Sequence, residues 1–469
     1  MLQSITAFLP GKKNDYNAKF VTELQNSGIV AEIINIENPF DSKTIEFIRT
    51  NTQTNYILLL TQDTFIELGQ FSLERLVSVA ESTGIGMLYS DYYEITENER
   101  KLHPVIDYQP GSIRDDFNFG PLFFISKAAI LEFDLNNYKY AGLYSLRLFI
   151  SEKTGIMRIP EYLYSTIILD SRKSGEKLFD YVNPKNREVQ IEMEKAASEH
   201  LKRIGAYLYP EFKKISLDGI DFPYEASVII PVKNRIKTIG DAIKSVLEQK
   251  ADFRFNLIVV DNYSTDGTTE IIKGFADKYE NVIHLIPSYK DLGIGGCWNE
   301  AIHNHKCGKF SIQLDSDDIY KDTSTIQKIV DAFRKEKCAM VIGSYTLTDF
   351  QLNEIPPGVI DHREWTPENG RNNALRINGL GAPRSYYTPV LRNIKIPNIS
   401  YGEDYAVCLA ISRNYQIGRV YESIYYCRRW EENSDASLSV EKQNINNTYK
   451  DRVRTIEIIA RQKINSRRS

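Results

Sequence analysis

Three short segments of this 469-residue chain carry side chains whose types and spacing could do chemistry. In LDSDDIY, Asp315, Asp317 and Asp318 follow directly on an apolar run. Carboxylates so placed can hold a hard divalent cation, and such a cation neutralises a diphosphate. A lone D-x-D also serves as a helix cap, so its weight comes from its position in the chain. In YGEDYAV, Glu403 and Asp404 stand side by side. A positioned carboxylate can take the proton from an attacking hydroxyl, and the same pair would also suit the first turn of a helix. In YYCRRW, Arg428 and Arg429 can donate charge-assisted hydrogen bonds to phosphate or sit at the surface. Trp430 offers a ring to stack on a sugar or to anchor a rim. His303 and His305, two apart, point to different sides of a helix and read as ordinary helix residues.

These residues need elements to position them. SVIIPV (227–232) reads as a buried strand ending at Pro231 and Val232. Ile236, Ile239, Ile243, Val246 and Leu247 then make a helical stripe, with Thr238 and Asp241 spaced as a capping box. NLIVVD (256–261) is a second strand whose Asp261 opens the polar turn NYSTDG, where it either meets a ligand or caps the turn. NVIHLI (281–286) and FSIQLD (310–315) are a third and a fourth. Strands alternating with helices imply βαβ units on a parallel sheet. Ligands of such sheets bind beyond the carboxyl ends of the strands, where Asp261 and Asp315 fall.

The first half repeats this plan. ITAFLP parallels SVIIPV, and YILLLTQDTF parallels FSIQLDSDDI; residues 36–48 align without a gap on 260–272, and 140–166 on 401–427, pairing Ile156 with Ile417 and Tyr164 with Tyr425. The copy differs where chemistry would sit. Thr61 and Gln62 stand for Asp315 and Ser316, Gly142-Leu143 stands for Glu403-Asp404, Lys43 replaces Gly267, and Asp63 alone remains, against Asp317. A helix-like stretch, 187–208, joins the copies. The basic tail 444–469 carries Val453, Ile456 and Ala460 on a face suited to a membrane surface or another helix, and more often such a face packs on its own domain.

Composition excludes several classes. Apolar residues are 42% and charged residues 26%, which is ordinary globular usage. Lys+Arg 58 against Asp+Glu 62 gives no reason to expect nucleic-acid binding. No apolar run reaches the ~18 residues needed to cross a bilayer, and MLQSITAFLPGKK has its basic residues after its apolar ones, the reverse of a secretory signal. Five cysteines without C-x-x-C spacing imply free thiols in a reducing compartment.

Five pieces taken together, SVIIPVKNR, VDNYSTDGT, LGIGGCWNEAI, LDSDDIY and YGEDYAV, resemble in type and order the inverting family-2 glycosyltransferases of GT-A fold, over 226–439. The resemblance implies an α/β chain of two tandem GT-A-like domains, each a mostly parallel sheet flanked by helices. It divides as 1–170 (degenerate copy), 171–222 (helical connector), 223–440 (catalytic domain) and 441–469 (basic C-terminal helix). Pro231 and Val232 would border the nucleotide, and Asp261 would lie by its base or ribose. Asp315 and Ser316 would lie near the ribose, Asp317 would hold Mn²⁺ or Mg²⁺, and Arg428 and Arg429 would reach the donor. Asp404 would be the catalytic base, with Glu403 and Trp430 on the acceptor side. The implied reaction moves a sugar from a nucleotide-sugar, first of all a UDP-sugar, to a hydroxyl with inversion. The acceptor would be a glycan, a lipid-linked sugar or a protein in bacterial polysaccharide or glycoconjugate assembly. The implied setting is cytoplasmic, peripheral at the inner face of the membrane, with a homodimer left open.

Two departures matter. Asn262 stands where relatives carry a second acid, which bears on uracil recognition, and Cys297-Trp298-Asn299 replaces a usual A-R-N. Two other readings compete. A non-catalytic glycan- or nucleotide-sugar-binding scaffold is disfavoured by the intact Asp317 and Asp404. A nucleotidyl- or phosphotransferase would need a Gly-rich, Lys-bearing phosphate loop that PVKNRIKTIG matches poorly.

Overall fold

Runs such as Ile5–Pro10, Tyr56–Leu60 and Phe310–Gln313 are buried at nearly every position, as strands covered on both faces must be. The computed structural model describes residues 3–11, 15–96, 99–167, 186–363, 365–430 and 438–467. Part of the expected connector (171–185), the stretch 431–437 and the last two residues lie outside these.

The chain divides into two units, 1–175 with 188–207 and 439–469, and 176–187 with 208–438. The first holds β1 (Ile5–Pro10), β2 (Val30–Ile36), β3 (Tyr56–Leu60), β4 (Ile66–Leu68), β5 (Met87–Ile95), β6 (Arg100–His103), β7 (Leu122–Ser126) and β8 (Ile156–Thr166). Their order in the sheet is β2-β1-β3-β7-β5-β8-β4, with β6 on β5.

The second unit holds β9 (Ala226–Val232), β10 (Phe255–Asp261), β11 (Val282–Leu285), β12 (Phe310–Gln313), β13 (Ile319–Tyr320), β14 (Met340–Thr348), β15 (Glu354–Ile360), β16 (Arg384–Tyr387) and β17 (Ile417–Arg428). Their order is β11-β10-β9-β12-β16-β14-β17-β13, with β15 on β14. Without β11, the two orders correspond strand for strand. The correspondence extends to register: Met87 pairs with Ile156 across β5–β8, and Met340 with Ile417 across β14–β17. Both sheets are mixed, because β7 and β16 each run antiparallel to both neighbours.

The helices Arg187–Arg203 and Val440–Asn465 both belong to the first unit by their contacts, although the sequence sets them apart as connector and tail. The latter docks through polar groups. Gly111 N–H donates to Thr455 Oγ1 (2.9 Å), Ser112 Oγ to Asp451 Oδ2 (2.9 Å) and Arg114 Nε to Asp451 Oδ1 (3.2 Å). Of the face noted in the sequence, Val453 and Ala460 are half-buried and Ile456 is exposed.

Candidate functional site

In the second unit β9 and β10 run in register, Val232 opposite Asp261, and Asn262 N–H donates to Val232 O at 2.8 Å. Pro231 is half-buried and Val232 buried. Asp261 is 1% exposed, and both its oxygens are engaged within the turn. Oδ1 accepts from Ser264 N–H (3.0 Å), while Oδ2 accepts from Thr269 Oγ1 (2.6 Å) and faces His284 Nε2 (3.3 Å). Burial alone would raise this carboxyl, but these partners hold it well below the usual carboxylate range. In this geometry Asp261 ties down the polar turn.

The expected capping box does not form. Thr238 Oγ1 is buried with no hydrogen-bond partner among the described residues, and the helix Ile239–Leu247 has no side-chain cap. Asp241 instead meets Arg428 Nη1 at 3.3 Å. A long-range cation outweighs the local cap.

Past β12 the chain turns inward on its acids. Asp315 accepts from Gln313 Nε2 (2.8 Å), and its N–H donates to Tyr425 Oη (3.1 Å). Ser316 follows it, half-buried. Asp318 is 5% exposed and accepts the Arg428 N–H at 2.8 Å. Asp317 Oδ2 lies 3.5 Å from Trp430 Nε1 and 4.0 Å from Arg235 Nε. Burial, with the charges of Asp317 and Asp315, pushes Asp318 well above its ordinary range. Burial also raises Asp315, with Arg384 and Gln313 opposing and Asp317 and Asp404 reinforcing the rise. The acids therefore crowd one another, and a cation would relieve the crowding. Among the described residues no three His, Cys, Asp or Glu side chains converge into a cage for a metal ion.

Arg428 is 3% exposed, spans Asp241 and the Asp317 carbonyl (Nε, 2.5 Å), and lies over Phe350. It braces the D-x-D loop from below. Arg429 N–H continues the ladder to Thr348 O at 2.7 Å. Trp430 sits beside Phe350 with Lys237 over its ring.

Glu403 and Asp404 open the helix Glu403–Ser412 behind Gly402, whose φ of 83° suits the left-handed turn into it. Asp404 Oδ1 accepts the Tyr405 N–H (2.7 Å) and Oδ2 pairs with Arg384 Nη2 (3.1 Å). Glu403 is 9% exposed, with Oε2 buried and without a hydrogen-bond partner among the described residues. Burial and the neighbouring Asp404 push its carboxyl up to about 8.

The loop entering this helix is seated on the glycine segment 293–296. A Cβ on Gly295 would lie 1.9 Å from Pro397 O, so only glycine admits the contact in which Gly295 N–H donates to Ile399 O (2.9 Å). Asn299 adds a two-way clamp on Ile396, giving Nδ2 to its carbonyl (2.7 Å) and accepting its N–H (3.1 Å).

Three residues not singled out in the sequence complete the constellation. Gln313 alternates inward along β12, Arg384 begins β16 next to it, and Tyr425 on β17 lies beneath Asp315. Arg384 N–H donates to Gln313 Oε1 at 3.0 Å. A continuous path thus runs Asp315–Gln313–Arg384–Asp404. The signal available was β-strand alternation at Gln313; Arg384 gave none, lying 20 residues before the acid it meets.

With this geometry in place, residues 227–386 match the family described as Glycosyl transferase family 2. The second unit carries a family 2 glycosyltransferase domain. The chain is 31% identical over 121 residues to the putative teichuronic acid biosynthesis glycosyltransferase TuaG of Bacillus subtilis, covering 26% of this chain and 46% of that protein. It is also 35% identical over 95 residues to a poly(ribitol-phosphate) beta-glucosyltransferase of Bacillus spizizenii, covering 20% and 14%. The chain is 27% identical over 241 residues to the minor teichoic acid biosynthesis protein GgaB of B. subtilis, covering 48% and 25%. The chain thus spans less than half the length of these relatives. Among solved structures, S. aureus TarS 1-349 in complex with UDP aligns over 50% of this chain and 65% of that one, at 22% identity and a TM-score of 0.39, too low a likeness to bear on this chain.

In the first unit the counterpart of Glu403-Asp404 is closed off. Gly142 and Leu143 are buried at the start of the helix Gly142–Lys153, and Gly142 N–H donates to Phe40 O at 2.8 Å. A Cβ on Gly142 would lie 2.5 Å from Ser42 N, so no acidic side chain fits there.

Proposed function

We propose that the second unit transfers a sugar from a nucleotide-sugar to an acceptor hydroxyl by single displacement with inversion, in the assembly of a bacterial surface polysaccharide or glycoconjugate. The observation that carries this reading is the Asp315–Gln313–Arg384–Asp404 path. It ties the D-x-D loop to a carboxylate held at a helix N-terminus. Asp404 is the base that takes the acceptor proton, and Arg384 fixes its orientation. Glu403 and Trp430 border the acceptor side. Pro231, Val232 and the turn ordered by Asp261 bound the donor's nucleoside, with Ser316 and Asp315 by the ribose and Arg429 toward the diphosphate. Arg428 acts by bracing the acids.

The donor set fits a divalent cation, Mn²⁺ or Mg²⁺, shared with the donor. Hard oxygen ligands are crowded together without forming a protein-only cage among the described residues, and such ions commonly use one or two carboxylates plus substrate phosphate. Asp317 would hold it, and when bound it neutralises charge on the departing diphosphate. A UDP-sugar is the first donor to try, and a surface glycan or its lipid-linked precursor the first acceptor, as the relatives' names suggest. All five cysteines are free thiols, which fits a reducing compartment. The test is nucleoside-diphosphate release from a panel of sugar nucleotides with Mn²⁺ or Mg²⁺. Release from one donor that disappears in Asp404→Asn supports the reading; release undiminished in that variant removes it.

A further inference from the structure

The C-terminal helix, Val440–Asn465, is turned inside out. It buries Asp451, Arg454, Glu457 and Arg461 to 2% exposure or less, while Ile445, Ile456 and Ile459 stand 68%, 58% and 57% exposed. An amphipathic helix normally does the reverse. The buried charges are satisfied in place: Arg454 Nη1 pairs with Asp451 Oδ1 and Arg461 Nε with Glu457 Oε1, both at 2.7 Å. The buried side of the helix thus carries these polar groups with a single fully buried isoleucine, Ile458 at 2% exposure, while the three exposed isoleucines face away from it.

Exposed apolar residues scattered singly need no explanation, but these are aligned. Lys442, Ile445, Arg452, Ile456, Ile459 and Lys463 are all exposed, at intervals of three, seven, four, three and four residues, which is one helix face. From Ile445 to Ile459 the line runs about 21 Å at the α-helical rise. Cations stand at both ends and in the middle, and Glu441 is the single acid among the helix's exposed positions.

We infer that this face docks on an anionic lipid surface, with the helix lying parallel to it. A straight line of isoleucines interleaved with Lys and Arg suits a flat boundary that is apolar below and negative above. Pairing with a second copy would bring rows of like charge together, which is costly. No helix among the described residues is long and apolar enough to cross a membrane, so contact is by lying on it. The effect is to hold the enzyme at a membrane face.

The test is co-sedimentation of the full chain with vesicles of equal parts phosphatidylglycerol and phosphatidylcholine, and with phosphatidylcholine alone. Binding is expected with the anionic vesicles and release at high salt. Joint replacement Ile445→Ser, Ile456→Ser, Ile459→Ser is expected to lower partition about tenfold or more. Arg452→Gln with Lys463→Gln is expected to lower it about fivefold per cation, and thermal melts should stay unchanged in each variant. Equal sedimentation with both vesicle types, none with either, or wild-type binding by the triple serine variant would overturn the inference. So would a wild-type dimer that the serine variant renders monomeric, because that assigns the face to self-association.

Discussion

Arg384 Nη2 lies 3.1 Å from Asp404 Oδ2, joining the first residue of β16 to the first turn of a helix that begins 19 positions later. The guanidinium is also fixed by Leu380 O at 2.7 Å, so the carboxylate meets a donor that is itself held. An Arg384→Met variant keeps the volume and removes that donor. Turnover is expected to fall about ten- to a hundredfold from misorientation of the base, with a smaller change in KM. A rise in KM with turnover unchanged would show that Arg384 only binds donor.

Replacing Asp404 by Asn keeps shape and helix start but removes the proposed proton acceptor. Turnover should drop by about 10²–10⁴-fold with thermal stability unimpaired, since the Arg384 contact can persist through the amide oxygen. Steady-state kinetics beside a melting curve separates loss of chemistry from loss of fold.

Asp317→Asn weakens the carboxylate assigned to the cation. The Mn²⁺ concentration giving half-maximal activity should rise by about tenfold or more, the loss typical of altering a metal site. A metal titration unchanged from wild type would assign the ion elsewhere.

Glu403 titrates at about 8 when folded and near 4.5 when unfolded. Between these values the folded chain binds the extra proton, so stability is fully present below about 4.5 and declines as pH rises through about 8. The slope is at most about 1.4 kcal/mol per pH unit. Denaturant melts across this window should show the decline in wild type and a shallower one in Glu403→Gln. Parallel curves would mean that Glu403 ionises normally.

Gly111 abuts the C-terminal helix, where an added Cβ would lie 2.0 Å from Asp451 O and 2.4 Å from Thr455 N. Both contacts are backbone, so Gly111→Ala must push the helix away. The expected cost is about 1–3 kcal/mol with faster proteolysis near 440–465, read by denaturant melts and limited digestion.

Much of this molecule is written locally. Strands buried on both faces need unbroken apolar runs, so β1, β3, β9, β10 and β12 are plain in SVIIPV-like segments, and the tandem repeat follows from their order. Asp315, Asp317 and Asp404 are equally legible because each occupies a strand end or helix start, where polar residues must have a reason. What sequence could not decide is which side chains meet across gaps in the chain. Asp241 reads as half of a capping box, yet it meets Arg428, because β17 brings a buried guanidinium that needs an anion more than the helix needs a cap. Arg384 carries no local signal and Gln313 only its place in the strand alternation, and their contact appears only when β16 lies against β12. The C-terminal helix shows the same limit most plainly: its apolar residues suggested the buried side, but Arg114 meets its Asp451, its Arg454 and Arg461 pair within the buried side, and Ile445, Ile456 and Ile459 are left outside. Local pattern records what one element prefers in water, whereas only the packed fold records which neighbour can satisfy a charge.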